Sequence, residues 1–175
     1  MAEQAAAGQV RLVPWTAADL ELERRFNVPE MKLHLGGPEP DERIVGRHRR
    51  MLEMAERGTG LMFRVEAPPT GEVAGSVGYW EREWGGETVY EMGWSVLPEF
   101  QGRGIAGAAV VTVLAGLREN GRHRYVFAYP SVTNGASNAL CRKAGFTLLG
   151  ECDFEFPKDH QLRCNEWRLD LEPTT

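Results

Sequence analysis

The sequence predicts an α+β fold, an α/β mixed sheet of about six to seven strands flanked by about four helices. Short stretches of alternating apolar and polar residues, separated by Gly and Pro, are typical of paired strands. Two helical segments come later in the chain, each after a strand, and a final alternating hairpin follows them. The length of 175 residues suits a single domain over residues 1–175, with loose tails expected at 1–8 and 172–175.

Pro and Gly divide the first half of the chain into its elements. Pro14 ends the first strand, Thr16 can cap the first helix, and Gly58 is a natural stop for the second. A hairpin then forms around the turn PPTG. The predicted elements are a strand at 10–13, a helix at 17–26, a loop at 34–40, a helix at 41–58, and strands at 61–67 and 72–80.

The second half follows the same logic. Gly85 and Gly86 mark a turn, Pro98 halts the long strand after it, and Gly145 stops the last helix. In the closing hairpin, apolar residues alternate with acidic ones, which indicates one wet face. The predicted elements are a strand at 88–97, a helix at 104–120, a strand at 125–128, a helix at 134–144, and strands at 146–156 and 164–171.

Composition excludes several classes of protein. The net charge of −5 argues against a nucleic-acid partner, and the apolar run at 105–117 is shorter than the roughly 20 residues that cross a bilayer. The N-terminus lacks the pattern of a signal peptide. Cys141, Cys152 and Cys164 form no CxxC pair, and the chain has no HExxH, so we expect no disulfide framework, no metal site, and a cytoplasmic location.

The most informative segment is QGRGIA, which lies between a strand and a helix. Glycine at 102 and 104 removes side chains where backbone must touch a ligand. The N–H groups of a helix's first turn are unpaired and can bind a diphosphate, to which Arg103 adds a charged contact. A tight turn without a ligand is the competing interpretation. The segment consists of Gln101, Gly102, Arg103, Gly104, Ile105 and Ala106.

The same letters contain GRGIAG, a match to the GxGxxG motif of dinucleotide-binding folds. Three observations argue against that interpretation. The loop lies in mid-chain without a complete doubly wound unit, and residues 98–100 separate it from its strand. The next strand ends in FAYP, with no acidic residue at the distance that would hold a ribose.

Two motifs together carry a family resemblance. The pattern V-x-P-x-x-Q-G-R-G-I-A, followed by N-x-x-S-x-x-x-x-x-x-x-G-F, resembles the GNAT superfamily of N-acetyltransferases, and most closely the branch of the ribosomal-protein N-terminal acetyltransferases. The resemblance covers residues 10–171 in element order and is specific to motifs at 91–146. It implies a splayed GNAT-like sheet with acetyl-CoA between the strands at 88–97 and 125–128.

The resemblance also implies which residues hold acetyl-CoA, the acyl donor. The pantetheine arm would pair with the fourth strand as an added strand does. Residues 101–106 would hold the pyrophosphate. The other implied contacts are Trp94, Ser95 and Val96 on the strand, and Asn134 and Ser137 on the last helix.

Acetyl transfer to an amine needs a base, because a lysine-like amine is protonated at neutral pH. Similar enzymes often place a carboxylate base on the fourth strand, where this chain has Glu91. Many relatives place a tyrosine acid where this chain has Cys141, a departure from the family pattern. Cys141 shares a predicted helix face with Asn134 and Ser137 and is a candidate proton donor. Packing is the favoured interpretation of Cys141, which leaves Ser137 or water as the donor, or a reaction that needs no acid.

The acceptor side is less well defined. His34 lies in the loop that borders the acceptor pocket in similar proteins, and Glu155 on the last hairpin can attract a cationic amine. Asp153 and Glu166 are further acidic candidates, although all three also fit a solvated strand face. The basic cluster at 47–50 is interpreted as a solvated helix face, since Glu residues follow it.

The predicted function is therefore acetyl-CoA-dependent transfer of an acetyl group to a primary amine by direct attack in a ternary complex. The acceptor is a small molecule or a protein N-terminus, and the protein is a monomer or a homodimer. The alternative is a non-catalytic sensor that binds acyl-CoA without turnover, which the missing tyrosine allows.

Overall fold

A computed structural model describes residues 10–172, which form seven strands and four α-helices. The predicted tail at 1–8 lies outside the described residues, as does the predicted tail at 172–175 except for Glu172. The strands are β1 (Arg11–Pro14), β2 (Gly60–Ala67), β3 (Glu72–Trp84), β4 (Glu87–Val96), β5 (Tyr125–Ala128), β6 (Thr147–Glu155) and β7 (Gln161–Asp170). The helices are α1 (Leu20–Phe26), α2 (Asp41–Arg57), α3 (Ile105–Asn120) and α4 (Gly135–Lys143).

The seven strands form one mixed sheet in the order β1-β2-β3-β4-β5-β7-β6. All neighbours are antiparallel except β4 and β5, which run parallel. That parallel seam contains two residue pairs, Tyr90 with Val126 and Glu91 with Phe127. The predicted mixed α+β sheet and its splayed form are thus confirmed.

Helix α3 covers one face of the sheet and supplies much of the core. Its buried residues include Ala109, Val110 and Leu114, and they cluster with Tyr90 and Met92 of β4. The opposite face of β4 carries Val89 and Glu91, because side chains alternate along a strand. The sheet therefore separates an apolar face under α3 from a second face that carries polar and aromatic groups. No helix within residues 10–172 is long and apolar enough to cross a membrane.

The structure corrects several predicted boundaries. Strand β3 continues to Trp84, rather than ending at 80, because the Gly85–Gly86 turn has two positive φ angles and lets the strands pair up to Glu87. The strand β4 ends at Val96 and β7 begins at Gln161. Pro14 does end the first strand, but as the last residue of β1, an edge strand that tolerates a missing N–H. The first helix opens with a 3-10 turn at Ala17–Asp19.

Candidate active site

Strands β4 and β5 part immediately after Glu91, which opens a cleft in the sheet. Residues 92–96 of β4 keep their partners on β3 but pair with no strand on the β5 side. Residues 89–92 are buried, whereas residues 93–96 are partly exposed. The cleft therefore presents an unpaired strand edge within the molecule. The strand residues predicted to contact the acyl donor, Trp94, Ser95 and Val96, all lie on this edge.

The glycine-rich loop follows β4 and leads into α3. Gly102 and Gly104 have φ angles of 74° and 75°, a region that other residues rarely adopt, although a Cβ at either position would meet no atom within 4 Å. These glycines are therefore required by backbone conformation rather than by space. No side chain caps the start of α3, so the first N–H groups after Gly104 have neither a side-chain acceptor nor an i−4 partner.

The two side chains of the loop are held by the backbone beside it. Gln101 Nε2 donates to the Val96 carbonyl at 3.0 Å, which ties the loop to the end of β4. Arg103 Nη2 donates to the Glu99 carbonyl at 2.9 Å, and its guanidinium lies 5.3 Å from the centre of the Phe100 ring. The loop is thus a fixed, exposed cradle with uncapped N–H groups and one nearby cation.

Helix α4 borders the other side of the cleft. Asn134 caps it, because its Oδ1 accepts from the Ser137 N–H at 3.1 Å. Ser137 Oγ in turn accepts a hydrogen bond from Trp94 Nε1 at 3.3 Å, which connects α4 to the open edge of β4. The structure therefore brings the two predicted helix contacts, Asn134 and Ser137, next to the predicted strand contacts.

Asn138, which sequence reasoning missed, fixes α4 to the sheet. It is 9% exposed. Its Nδ2 donates to the carbonyls of Ser131 and Asn134 at 2.9 and 2.8 Å, and its Oδ1 accepts from Asn165 Nδ2 and Trp167 Nε1, both at 2.8 Å. One buried amide thus positions the helix that carries Ser137. Its only sequence signal is a polar residue beside Ser137 in a helix that must pack.

Glu91 is a buried carboxylate at the point where the cleft opens. It is 9% exposed, and Arg82 Nη1 donates to its Oε2 at 2.9 Å. Burial raises the pKa of Glu91 above the ordinary glutamate value, and hydrogen bonds from Arg82 and Trp80 partly offset that effect. Glu91 is therefore a stronger base than an exposed glutamate.

Arg82, on the extended part of β3, is held on two sides by aromatic rings. Its guanidinium lies 4.6 Å from the centre of the Tyr129 ring and 5.0 Å from that of Phe154. Cation–π contacts of this kind stabilise a desolvated arginine. Because the sequence predicts that β3 ends at residue 80, Arg82 is not identified as a site residue there. The alternation of Trp80, Arg82 and Trp84 nevertheless continues the period of a strand.

Tyr129 places a buried phenol hydroxyl close to this pair. Its hydroxyl is buried and has no hydrogen-bond partner among residues 10–172. Burial raises its pKa, Arg82 opposes that effect, and the nearby Glu166 carboxylate adds to it. Glu166 itself is half-buried and accepts from Trp84 Nε1 at 3.2 Å, so it does not lie on a purely solvated face.

Cys141 lies within the hydrophobic core. It is 0% exposed, and burial raises its pKa to about 12. Ser137, one turn earlier, reaches Trp94 instead. A thiol with a raised pKa and no exposed surface is a poor proton donor and a poor nucleophile, which favours the packing interpretation of Cys141.

The two predicted acceptor contacts each engage a different neighbour. His34 Nδ1 lies 2.9 Å from Thr133 Oγ1, so the loop before α2 touches the segment that leads into α4. Glu155 is exposed at the end of β6 and accepts from the Asp159 N–H at 3.2 Å. Asp153 is bonded to Arg163 at 3.1 Å. Within residues 10–172, no group of three or more His, Cys, Asp or Glu residues is placed to hold a metal ion.

A strand pair that parts beside a glycine-rich helix start is the geometry that the family resemblance implies. The profile of the acetyltransferase (GNAT) domain matches residues 9–147. The chain belongs to the GNAT acetyltransferase family. No curated protein sequence matches it.

Solved GNAT structures share the fold across almost the whole chain. RimL, a ribosomal L7/L12 α-N-protein acetyltransferase in complex with coenzyme A, is 19% identical with a TM-score of 0.75, covering 92% of this chain and 93% of that one. Spermidine N-acetyltransferase from Vibrio cholerae, with CoA and spermine, is 18% identical with a TM-score of 0.74, covering 93% and 96%. Ribosomal-protein-S5-alanine acetyltransferase from Vibrio fischeri is 18% identical with a TM-score of 0.72, covering 93% and 92%.

Proposed function

We propose that this GNAT protein transfers an acetyl group from acetyl-CoA to a primary amine, on a small molecule or a protein N-terminus, by direct attack in a ternary complex. The observation that carries the proposal is the unpaired edge of β4. It begins directly after the buried carboxylate of Glu91 and ends beside the uncapped start of α3. Solved neighbours that bind coenzyme A support the donor, and those that act on spermidine or ribosomal proteins support both acceptor classes.

The residues present fit coenzyme A at both ends of the cleft. The backbone N–H and C=O groups of 94–96 that point away from β3 can pair with the amide groups of a pantetheine arm, as an edge strand pairs with an added one, while the Val96 carbonyl already accepts from Gln101 Nε2. The uncapped N–H groups that follow Gly104 carry the positive end of the α3 dipole and suit a diphosphate, and Arg103 adds a cation. Asn134 and Ser137 close the opposite wall.

Proton transfer is assigned to Glu91. A bound ammonium loses a proton to the Glu91 carboxylate, directly or through one water, and the neutral nitrogen attacks the thioester carbon. The N–C bond forms and the C–S bond breaks; the attacking nitrogen, now positively charged, releases its second proton as the leaving sulfur takes one. Because Ser137 Oγ accepts from Trp94, its own hydrogen remains available for that sulfur, and the proton released by the nitrogen restores the Ser137 hydroxyl through water. Arg82 holds the Glu91 carboxylate in place throughout.

The three free cysteines support a reducing compartment, so we place this reaction in the cytoplasm. Monomer and homodimer both stay predictions, as does the absence of a nucleic-acid or membrane partner.

The test is release of the coenzyme A thiol in the presence of a panel of amines and N-terminal peptides. Calorimetry with acetyl-CoA and with NAD runs in parallel. We expect acetyl-CoA to bind, NAD not to bind, and at least one amine to be acetylated. Binding of acetyl-CoA without turnover of any amine would instead support the sensor function, and tight NAD binding would contradict the assignment of the loop.

A further inference from the structure

A basic groove lies between helix α2 and the turn that joins β6 to β7. Its volume is about 510 Å³. Three carboxylates also line it, yet cations outnumber them on a chain whose net charge is −5. Its cationic lining consists of Arg43, Arg47, Arg49, Arg50 and Lys158.

The cations of the groove differ in whether they are already neutralised. Arg47 is bound to both carboxylate oxygens of Glu39 and lies 4.9 Å from the centre of the Phe156 ring, so it shapes the floor. Arg43 donates to the Lys158 carbonyl at 2.9 Å, a bond that leaves its charge uncompensated. The Arg50 guanidinium folds back over Gly46.

Three of these charges remain available to a ligand. No ion pair joins Arg43, Arg50 or Lys158 to a carboxylate within residues 10–172. The remaining carboxylates of the lining, Glu42 and Asp159, likewise lack an ion pair within residues 10–172. Their negative charges reduce the net positive charge of the groove. The groove is thus suited to an anion with several separated charges rather than to a single phosphate.

The end of β6 links the groove to the proposed active site. Phe154 lies against Arg82, which holds Glu91, and Phe156 lies against Arg47 at the groove. Phe156 directly follows the end of β6, and Cα atoms two residues apart are separated by at most about 7 Å. An acceptor whose amine reaches Glu91 can therefore span the distance to the arginines with a few residues.

The spacing of the arginines fits a peptide. Arg43 and Arg50 are seven positions apart on α2, but the Arg50 guanidinium lies back over Gly46, three positions after Arg43 and about 4.5 Å along the helix axis. An extended peptide rises about 3.3 Å per residue, so acidic residues one or two positions apart can reach the two guanidinium groups.

We infer that this groove binds the acidic segment of a peptide acceptor, whose N-terminal amine enters the cleft while Asp or Glu side chains a few residues later contact Arg43 and Arg50. The inference rests on the proposed N-acetyltransferase function, because it names the acceptor class of that same site.

The experiment compares two octapeptides that begin Ser-Ala-Asp-Glu-Asp or Ser-Ala-Asn-Gln-Asn. The second has amides of the same size in place of carboxylates. Acetylation is followed with the full chain and with the variants Arg50→Gln and Arg43→Gln/Arg50→Gln. Arg57→Gln is the matched control, since Arg57 is an exposed arginine in the last turn of the same helix.

We expect the acidic peptide to have a kcat/KM about tenfold higher, mainly through KM, the effect of a few exposed charge contacts. The preference should shrink in Arg50→Gln, nearly vanish in the double variant, persist in Arg57→Gln, and weaken with added salt. The KM for acetyl-CoA should not change in any variant.

Equal kcat/KM for the two peptides, or a preference that survives the double variant, would overturn the inference. So would free glutamate acetylated as well as the acidic peptide, or an oligonucleotide of equal charge displacing that peptide. Anisotropy of a fluorescent acidic peptide in the presence of coenzyme A tests the groove separately. Arginine-dependent binding without any turnover would refute the proposed function alone, and acetylation of amines without acidic preference would refute this inference alone.

Discussion

Replacing Asn138 with Ala tests whether one buried amide holds the last helix of the site. The side chain makes four hydrogen bonds, two as donor and two as acceptor, and it is 9% exposed. The variant removes all four at once. Because α4 carries Ser137, the substitution should affect both stability and the cleft.

The expected loss in the free energy of unfolding depends on which hydrogen bonds the four partners of Asn138 keep in the variant. The carbonyls of Ser131 and Asn134 still accept a backbone N–H each, at 2.9 and 3.1 Å, so they stay satisfied. Asn165 is only half-buried and can turn to water. Trp167 is 3% exposed, so its Nε1 loses its acceptor, at about 1–3 kcal/mol. With about 1 kcal/mol for each lost bond from Asn138 Nδ2, the total is about 3–5 kcal/mol.

Urea unfolding of Asn138→Ala, Trp167→Phe and the double variant measures the loss of unfolding free energy directly. Because Phe has no N–H, the double variant should be more stable than the sum of the single losses predicts, by about 1–3 kcal/mol. Asn134→Ala removes a single capping bond and should cost about 1 kcal/mol. A loss below 1 kcal/mol for Asn138→Ala, or additive single effects, would refute the reasoning.

Three further predictions concern the cleft. Glu91→Gln should lower kcat about 10²- to 10⁴-fold, with acetyl-CoA affinity kept. In the parent protein, kcat/KM should fall as pH falls through the raised pKa of Glu91, so the acid limb lies above the ordinary glutamate range and disappears in the variant. Gly104→Val should abolish acetyl-CoA binding in calorimetry, because a β-branched residue resists a φ of 75°. Cys141→Ala should keep most activity but lose about 1–3 kcal/mol of unfolding free energy, as a buried group leaves a cavity.

Each of these has an outcome that contradicts it. Near-normal turnover of Glu91→Gln with an unchanged pH profile would remove Glu91 from the reaction. Undiminished affinity in Gly104→Val, with a native circular dichroism spectrum, would show that the loop does not hold the diphosphate. Ping-pong kinetics, or an acetylated Cys141 found by mass spectrometry, would replace direct attack by a covalent route.

The sequence predicts the parts of the site that depend on local backbone chemistry. A glycine loop between a strand and a helix requires positive φ angles, and Gly102 and Gly104 have them. Asn134 is a predicted helix start, and its side chain does cap α4. The turn and Pro98 bound the strand that carries Glu91, and the choice of Glu91 as the base comes from the family resemblance.

The contacts that cross between distant segments could not be predicted in this way. Arg82 reaches Glu91 only because β3 continues past Trp80, and its ring partners come from β6 and from the end of β5. Arg47 belongs to a charged helical run, but its neighbour Glu39 lies eight positions earlier, where no helix period links the two. Such pairs depend on tertiary packing, which local periodicity does not encode.

Because only two residue pairs join β4 to β5, the sheet consists of two blocks with a weak connection between them. One block contains β1 to β4, and the other contains β5, β7 and β6. Separating the two blocks breaks few sheet hydrogen bonds, so they are held together mainly by the side chains packed beneath α3. A ligand that pairs with the open edge of β4 and contacts α4 adds a second connection between the blocks. Amide hydrogen exchange should therefore slow most in β5, β7 and β6 when acetyl-CoA is added. This is expected even though the loop that is proposed to bind the pyrophosphate, residues 101–106, follows β4 of the first block.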